Sequence, residues 1–185
     1  MQRDLMPQQE HQQGVSSKWE LEGLAAFEPH PELREKLELF GQFVGDWDIL
    51  ECRYLEDDGT WSKSRGELHW RWILEGKALQ DIWSSVDEET HRVIPGGTTV
   101  RFYDPKIDAW RSTWISPDQG VVKPFIGHKV GNEIILERKD EEKGHLDRWI
   151  FSDITESTFR WRGEKSEDGG KTWKMYEEMK IRRKT

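Results

Sequence analysis

Turn residues recur at short intervals from Gly45 to the end of the chain, and this spacing constrains the fold more than any other feature. The segments between the turns are rich in Trp, Ile, Val and Thr. Such segments, joined by Gly, Asn and Asp, are typical of β-hairpins. The pattern predicts about ten strands, over 47–55, 61–74, 78–86, 98–103, 109–116, 121–129, 133–139, 145–153, 157–165 and 172–183.

Consecutive strands with hairpin-length connections and no second helix indicate an antiparallel meander, which closes into a barrel or folds as a sandwich. We expect an all-β, up-and-down antiparallel β-barrel of about ten strands. One short helix is predicted before it, over 31–40, with Pro31 in its first turn and Leu33, Leu37 and Phe40 on one face.

Residues 1–18 contain almost nothing that could be buried, so they are expected to form a disordered leader. Residues 19–185 are expected to form a single barrel domain.

Charge, cysteine content and hydropathy limit the partners and the cellular location that we expect. The net charge of −8 argues against binding to nucleic acid, which requires a basic surface. Cys52 is the single cysteine, so no intrachain disulfide is possible and a cytoplasmic location is expected. No apolar run approaches the roughly 18 residues of a membrane span, so no membrane contact is expected.

Strand alternation predicts an aromatic interior. If Glu75-Gly76 is a two-residue turn, Trp70 lies opposite Asp81, and one face of this hairpin carries aromatic side chains and a single acid. In the last hairpin, pairing Gly163 with Trp173 places an acid on an aromatic face again, with Trp161 opposite Met175 and Phe159 opposite Glu177. The same reasoning groups Val100, Phe102, Trp110, Ser112 and Trp114 on one face, and Asp147, Trp149 and Phe151 on another.

These inward side chains form either a packed core or a ligand cavity, and the pattern leaves both open. Barrels of eight or more strands can hold a small ligand. The candidate ligand-binding residues are Trp70, Trp72, Trp83, Phe102, Trp114, Trp149, Trp161 and Met175.

Three residues are candidates for acid–base chemistry. Asp81 and Glu177 are acids on aromatic faces, where burial raises a carboxyl pKa. The alternative is that each acid accepts structural hydrogen bonds or pairs with an inward Arg. His128 precedes the turn at Gly131-Asn132 and is a base, an axial haem ligand or a polar residue at the rim. No zinc-ligand spacing, nucleophile elbow or phosphate loop is present, so we expect neither a metal nor a cofactor.

Beginning at Gly45-Asp46-Trp47, several motifs resemble those of bacterial lipocalin-like, calycin-type proteins of uncharacterised function. The resemblance spans roughly residues 31–183 and includes 74–83, 101–105, 159–161 and 169–173. It implies that Trp47 packs across the closed end of a barrel, against Arg182 or Arg183.

Three functions are compatible with this sequence. The first is a binding protein that holds a small apolar or aromatic molecule inside the barrel. The second is a barrel enzyme, an isomerase, cyclase or lyase, that uses Asp81, Glu177 or His128. The third is a filled structural or interaction domain without a ligand. A homodimer is a further possibility.

Overall fold

The computed structural model describes residues 24–185, so the leader predicted over 1–18 lies outside the described residues. One 3-10 turn (Pro31–Leu33) leads into helix α1 (Arg34–Gly41). Ten strands follow: β1 (Gly45–Leu55), β2 (Trp61–Ile73), β3 (Ala78–Val86), β4 (Val93–Asp104), β5 (Ala109–Ser116), β6 (Val121–Val130), β7 (Glu133–Lys139), β8 (Leu146–Ser152), β9 (Thr158–Ser166) and β10 (Lys174–Arg183).

Every strand pairs antiparallel with its neighbours in sequence, and β1 also pairs with β10, so the sheet closes. The predicted ten-strand barrel with a preceding helix is therefore confirmed. Closure leaves no free sheet edge within the barrel. In the described part of the chain, no helix is long and apolar enough to span a membrane.

Helix α1 plugs one end of the barrel. Leu37 and Phe40 on its inner face are fully buried, as is Phe43 just after it. Phe40 lies 4.8 Å from Trp110 and Phe43 lies 4.7 Å from Phe159, measured between ring centroids. The helix face predicted from the spacing of Leu37 and Phe40 therefore faces the interior.

Next to this plug, Trp47 on the first strand pairs with Arg183 on the last strand, where the sheet closes. Trp47 is fully buried, and its indole N–H donates to the Phe43 carbonyl at 2.7 Å. The Arg183 guanidinium lies 4.0 Å from the Trp47 ring and donates to the carbonyls of Val44 and Gln42, each at 2.8 Å. Of the two candidate arginines it is thus Arg183 that packs on Trp47.

Strand β4 differs from its prediction. Pro95, Gly96 and Gly97 lie inside the strand rather than in a turn before it. A Cβ at Gly96 would come within 2.6 Å of the Trp83 ring, and one at Gly97 within 2.3 Å of the Trp114 ring. The two glycines therefore let both indoles pack directly on the backbone, which a turn prediction based on glycine content overlooks.

The last hairpin also has a different register. Trp161 pairs with Met179 and Phe159 with Ile181, where the sequence predicted Met175 and Glu177 as their partners. A bulge between Met175 and Glu177 shifts the ladder, and a long turn replaces the start of the last predicted strand. Bulges of this kind break the simple alternation from which registers are inferred.

Truncating Trp47 tests the plugged end. Trp47→Ala should lower the free energy of unfolding by about 3–5 kcal/mol, the usual cost of removing a large core aromatic side chain. Trp61→Ala is the matched control, because Trp61 is 38% exposed at the start of β2 and should cost less than about 1 kcal/mol. Urea unfolding of both variants measures the difference; equal losses would contradict the role of Trp47.

Candidate functional site

An internal cavity of about 220 Å³ lies above the plug. Its lining includes Gln119 from the β5–β6 turn, so it extends toward the barrel end opposite α1. Most of the wall is aromatic or aliphatic. The lining residues are Tyr54, Leu68, Trp70, Asp81, Trp83, Thr99, Arg101, Trp114, Gln119, Lys123, Trp149, Phe151, Phe159, Trp161, Tyr176, Glu177 and Met179.

A buried ion pair between Asp81 and Arg101 forms part of the cavity wall. The side chains are 4% and 3% exposed, and Arg101 Nη1 donates to Asp81 Oδ2. Burial raises the pKa of the Asp81 carboxyl, and the attraction of the Arg101 guanidinium opposes that rise. The guanidinium also lies 4.3 Å from the Trp70 ring and 5.4 Å from the Phe40 ring. Asp81 therefore already has a charged partner.

This ion pair corrects the predicted face of β4. The prediction placed Val100 and Phe102 inside because they are apolar, but Thr99 and Arg101 are buried and Phe102 is 43% exposed. Arg101 faces inward because its guanidinium neutralises Asp81 on the neighbouring strand. An aliphatic–polar alternation cannot reveal a buried arginine whose partner is 20 residues away.

Glu177 has no comparable partner. Its Oε1 accepts a hydrogen bond from the Cys52 thiol at 3.6 Å, a weak contact. Burial raises the pKa of Glu177 to about 7, while the Cys52 contact and the more distant Lys123 charge lower it slightly. Burial also raises the pKa of the Cys52 thiol, so the thiol stays protonated. Glu177 thus combines a cavity-facing position with a carboxyl that changes charge near neutral pH.

The β10 bulge places Tyr176 and Glu177, which are consecutive residues, in the wall of the same cavity. Gly163 on β9 provides the necessary space, since a Cβ there would lie 2.6 Å from the Tyr176 ring. The Tyr176 hydroxyl accepts a hydrogen bond from the Trp149 indole N–H at 2.8 Å. This leaves the hydroxyl proton of Tyr176 available as a donor. In a regularly alternating strand with Glu177 inside, Tyr176 would lie on the outer face.

Three tryptophans from β5, β8 and β9 form an angled aromatic wall beside Glu177. The ring centroids of Trp114 and Trp149 are 6.2 Å apart with planes at 76°, and those of Trp149 and Trp161 are 5.3 Å apart at 65°. Edge-to-face pairs of this kind are a favourable aromatic geometry. All three residues belong to the predicted ligand-binding set.

The structure brings together most, but not all, of the predicted site residues. Seven of them line the cavity: Trp70, Asp81, Trp83, Trp114, Trp149, Trp161 and Glu177. Phe102 is outside the barrel, as described above. Trp72 is buried at the plugged end, where a Cβ at Gly41 would lie 2.9 Å from its ring. Met175 precedes the bulge and pairs with Glu164 instead of Trp161.

His128 is exposed and lies outside this cavity. It borders a wide outer depression beside α1, where Lys36 and Asp108 form an ion pair at 2.9 Å. The depression is larger than the cavity, but charged and exposed side chains form much of its surface. The internal cavity is therefore the better enclosed of the two.

The chain also brings together Asp140, His145 and Asp147, whose ligand atoms lie within 4.8 Å of one another. This is an arrangement that sequence spacing did not indicate. Arg138 contacts Asp140 and lies 3.2 Å from Asp147, and His145 lies 3.1 Å from Asp147. Both carboxylates therefore already have cationic or imidazole partners, as in a salt-bridge network.

Two solved structures share this fold at low sequence identity. The structure of the S-type phycobiliprotein lyase CPES from Guillardia theta has a TM-score of 0.53 and 12% identity, over 80% of this chain and 92% of that chain. Rv2717c from M. tuberculosis has a TM-score of 0.57 and 10% identity, over 85% of this chain and 100% of that chain. No family model matches the chain, and no curated protein matches it in sequence. The likeness shows a lipocalin-like barrel fold.

The two cavity acids should affect stability differently. The pKa of Glu177 is about 7 in the folded protein, against an ordinary value of 4.5. The folded state therefore binds the proton more tightly, and the free energy of unfolding falls as the pH rises through this window. Between pH 5 and pH 8, the wild type should lose roughly 1–3 kcal/mol more than Glu177→Gln. Urea unfolding at both pH values measures this, and parallel pH profiles would contradict the assignment.

Asp81→Asn should instead destabilise the protein at both pH values, by about 3–5 kcal/mol, because it leaves Arg101 buried without a counter-charge. Glu137→Gln, an exposed substitution on β7, is the neutral control for the same set of measurements. A stable Asp81→Asn variant would show that the ion pair does not stabilise the fold.

Proposed function

We propose that this protein binds a small, mostly apolar molecule inside its barrel. The observation that carries the proposal is an aromatic-lined cavity of about 220 Å³ that contains a carboxyl, Glu177, whose hydrogen-bond partner is a thiol. Typical ligand pockets have an apolar wall and a few polar groups of this kind.

The volume sets the size of the ligand. A cavity of about 150 Å³ accepts benzene, and pockets for drug-sized ligands begin near 300 Å³. A volume of 220 Å³ therefore suits a molecule with one or two rings, or a short branched chain.

Buried N–H groups that lack a hydrogen-bond partner also support the binding of a molecule inside the barrel. Among residues 24–185, the buried indole N–H groups of Trp70 and Trp83 and the Nε of Arg101 have no hydrogen-bond partner. Buried N–H groups are normally paired with protein, water or ligand atoms. Water or a bound molecule in the adjoining cavity would supply such acceptors after small side-chain shifts. A barrel filled only by its own side chains would leave these groups unpaired.

A second candidate function is acid–base catalysis in the same cavity, favoured by one specific observation. The pKa of Glu177 is about 7, near the value that suits proton transfer at neutral pH. Of the three residues considered for this chemistry, Asp81 is ion-paired and His128 is exposed outside the cavity. Glu177 is therefore the residue that this function would use, with Tyr176 as its neighbour.

Blocking the cavity tests the binding function. Lys123 is a half-exposed cavity residue on β6, so Lys123→Trp should obstruct ligand entry without disrupting the core. Binding of small fluorinated aromatic probes, followed by fluorine NMR, should weaken by about tenfold or more. Lys139→Trp is the matched control, since Lys139 is exposed on β7, and it should leave the affinity unchanged. Equal binding to both variants would place the probes outside the barrel and contradict the proposal.

A further inference from the structure

Asp81 and Glu177 are the two carboxyl groups of the cavity wall that lie against aromatic side chains, and only one of them has a charged partner. The deeper group, Asp81, has a cation, the Arg101 guanidinium, which packs against the rings of Trp70, Phe40 and Phe151 at 4.3, 5.4 and 6.0 Å. The interior of this protein thus already accommodates an organic cation between aromatic rings and a carboxylate. That arrangement is favourable because the rings attract the cation and the carboxylate neutralises it.

The upper carboxyl, Glu177, has the aromatic surroundings but lacks the cation. The angled wall of Trp114, Trp149 and Trp161 borders the same cavity. Within residues 24–185, no Lys, Arg or His side chain forms an ion pair with the Glu177 carboxyl, and Lys123 acts on it only at longer range. Glu177 is half-buried, and a carboxylate held against aromatic rings without a counter-charge is costly, so a bound cation would remove that cost.

From this comparison we infer that the cavity selects a compact organic cation, an amine carried on one or two rings, with its ammonium group against Glu177 and its apolar part against the tryptophan wall. The inference rests on the proposed binding function and adds the chemical class of the ligand. The Tyr176 hydroxyl, beside Glu177, provides a polar neighbour for the same head group.

Among the groups that face Glu177, the neighbours keep a fixed charge near neutral pH, and the charge of Glu177 itself is the one that changes. Cys52 and Tyr54 on β1 and Tyr176 on β10 all have their pKa raised by burial, so they stay neutral. Lys123 on β6 contributes a positive charge from the cavity wall. Asp81 on β3 is ion-paired with Arg101 on β4, and Asp147 on β8, close to Tyr176, is ion-paired with Arg138 on β7. An amine should therefore bind more tightly as Glu177 loses its proton.

The test compares three probes of similar shape with different charge: 2-(4-fluorophenyl)ethylamine, 2-(4-fluorophenyl)ethanol and 3-(4-fluorophenyl)propionate. At pH 8, the amine should bind at least about tenfold more tightly than the alcohol, and the propionate should bind most weakly. Lowering the pH to 5.5 should weaken amine binding by about tenfold or more, while alcohol binding should not weaken. Fluorine NMR titration of the full chain gives each affinity.

Glu177→Gln should abolish the preference for the amine and its pH dependence while retaining alcohol binding, whereas the exposed Glu137→Gln should change neither. If the alcohol or propionate binds as tightly as the amine, the inference fails while the binding function stands. If no probe binds, both fail. If Glu177→Gln keeps the amine preference, another group selects the cation and the inference is overturned.

Discussion

The width of a ten-stranded barrel is the constraint on which the rest of this structure depends. An eight-stranded barrel is just narrow enough for its own side chains to fill, so a barrel with two more strands needs additional filling. Helix α1 supplies part of it with Leu37 and Phe40, and Phe43 extends the plug. The plug reaches only one end. The cavity of about 220 Å³ lies above it.

Two departures from regular strand pairing give this cavity its chemistry. In β4, Gly96 and Gly97 allow the indoles of Trp83 and Trp114 to lie on the backbone. In β10, a bulge places Tyr176 next to Glu177 in the wall, with space provided by Gly163. Regular alternation would turn one of two consecutive residues out of the barrel, whereas at the β10 bulge both face the cavity. The bulge therefore adds the Tyr176 hydroxyl to the cavity wall beside Glu177.

The parts that sequence reasoning predicted correctly are those determined by short-range patterns. The β2–β3 connection is centred on Glu75-Gly76, so the pairing of Trp70 with Asp81 followed from counting residues. The predictions of the β4 face and of the last register were wrong for different reasons. Arg101 turns inward to meet Asp81, which is a long-range cause. The β9–β10 turn is longer than the predicted one, and the bulge before Glu177 adds one more residue to the shift. A prediction from alternation alone assumes that every strand is regular and that every inward residue is apolar.

The most direct test of an internal binding site is to locate a bound molecule. A crystal grown with 4-bromobenzylamine would give an anomalous bromine signal that marks the ring without reference to the protein side chains. We expect this signal inside the barrel, between Trp149 and Trp161, with the amine nitrogen within hydrogen-bonding distance of Glu177. A cavity filled by collapsed side chains, with bromine found only on the outer surface, would contradict it.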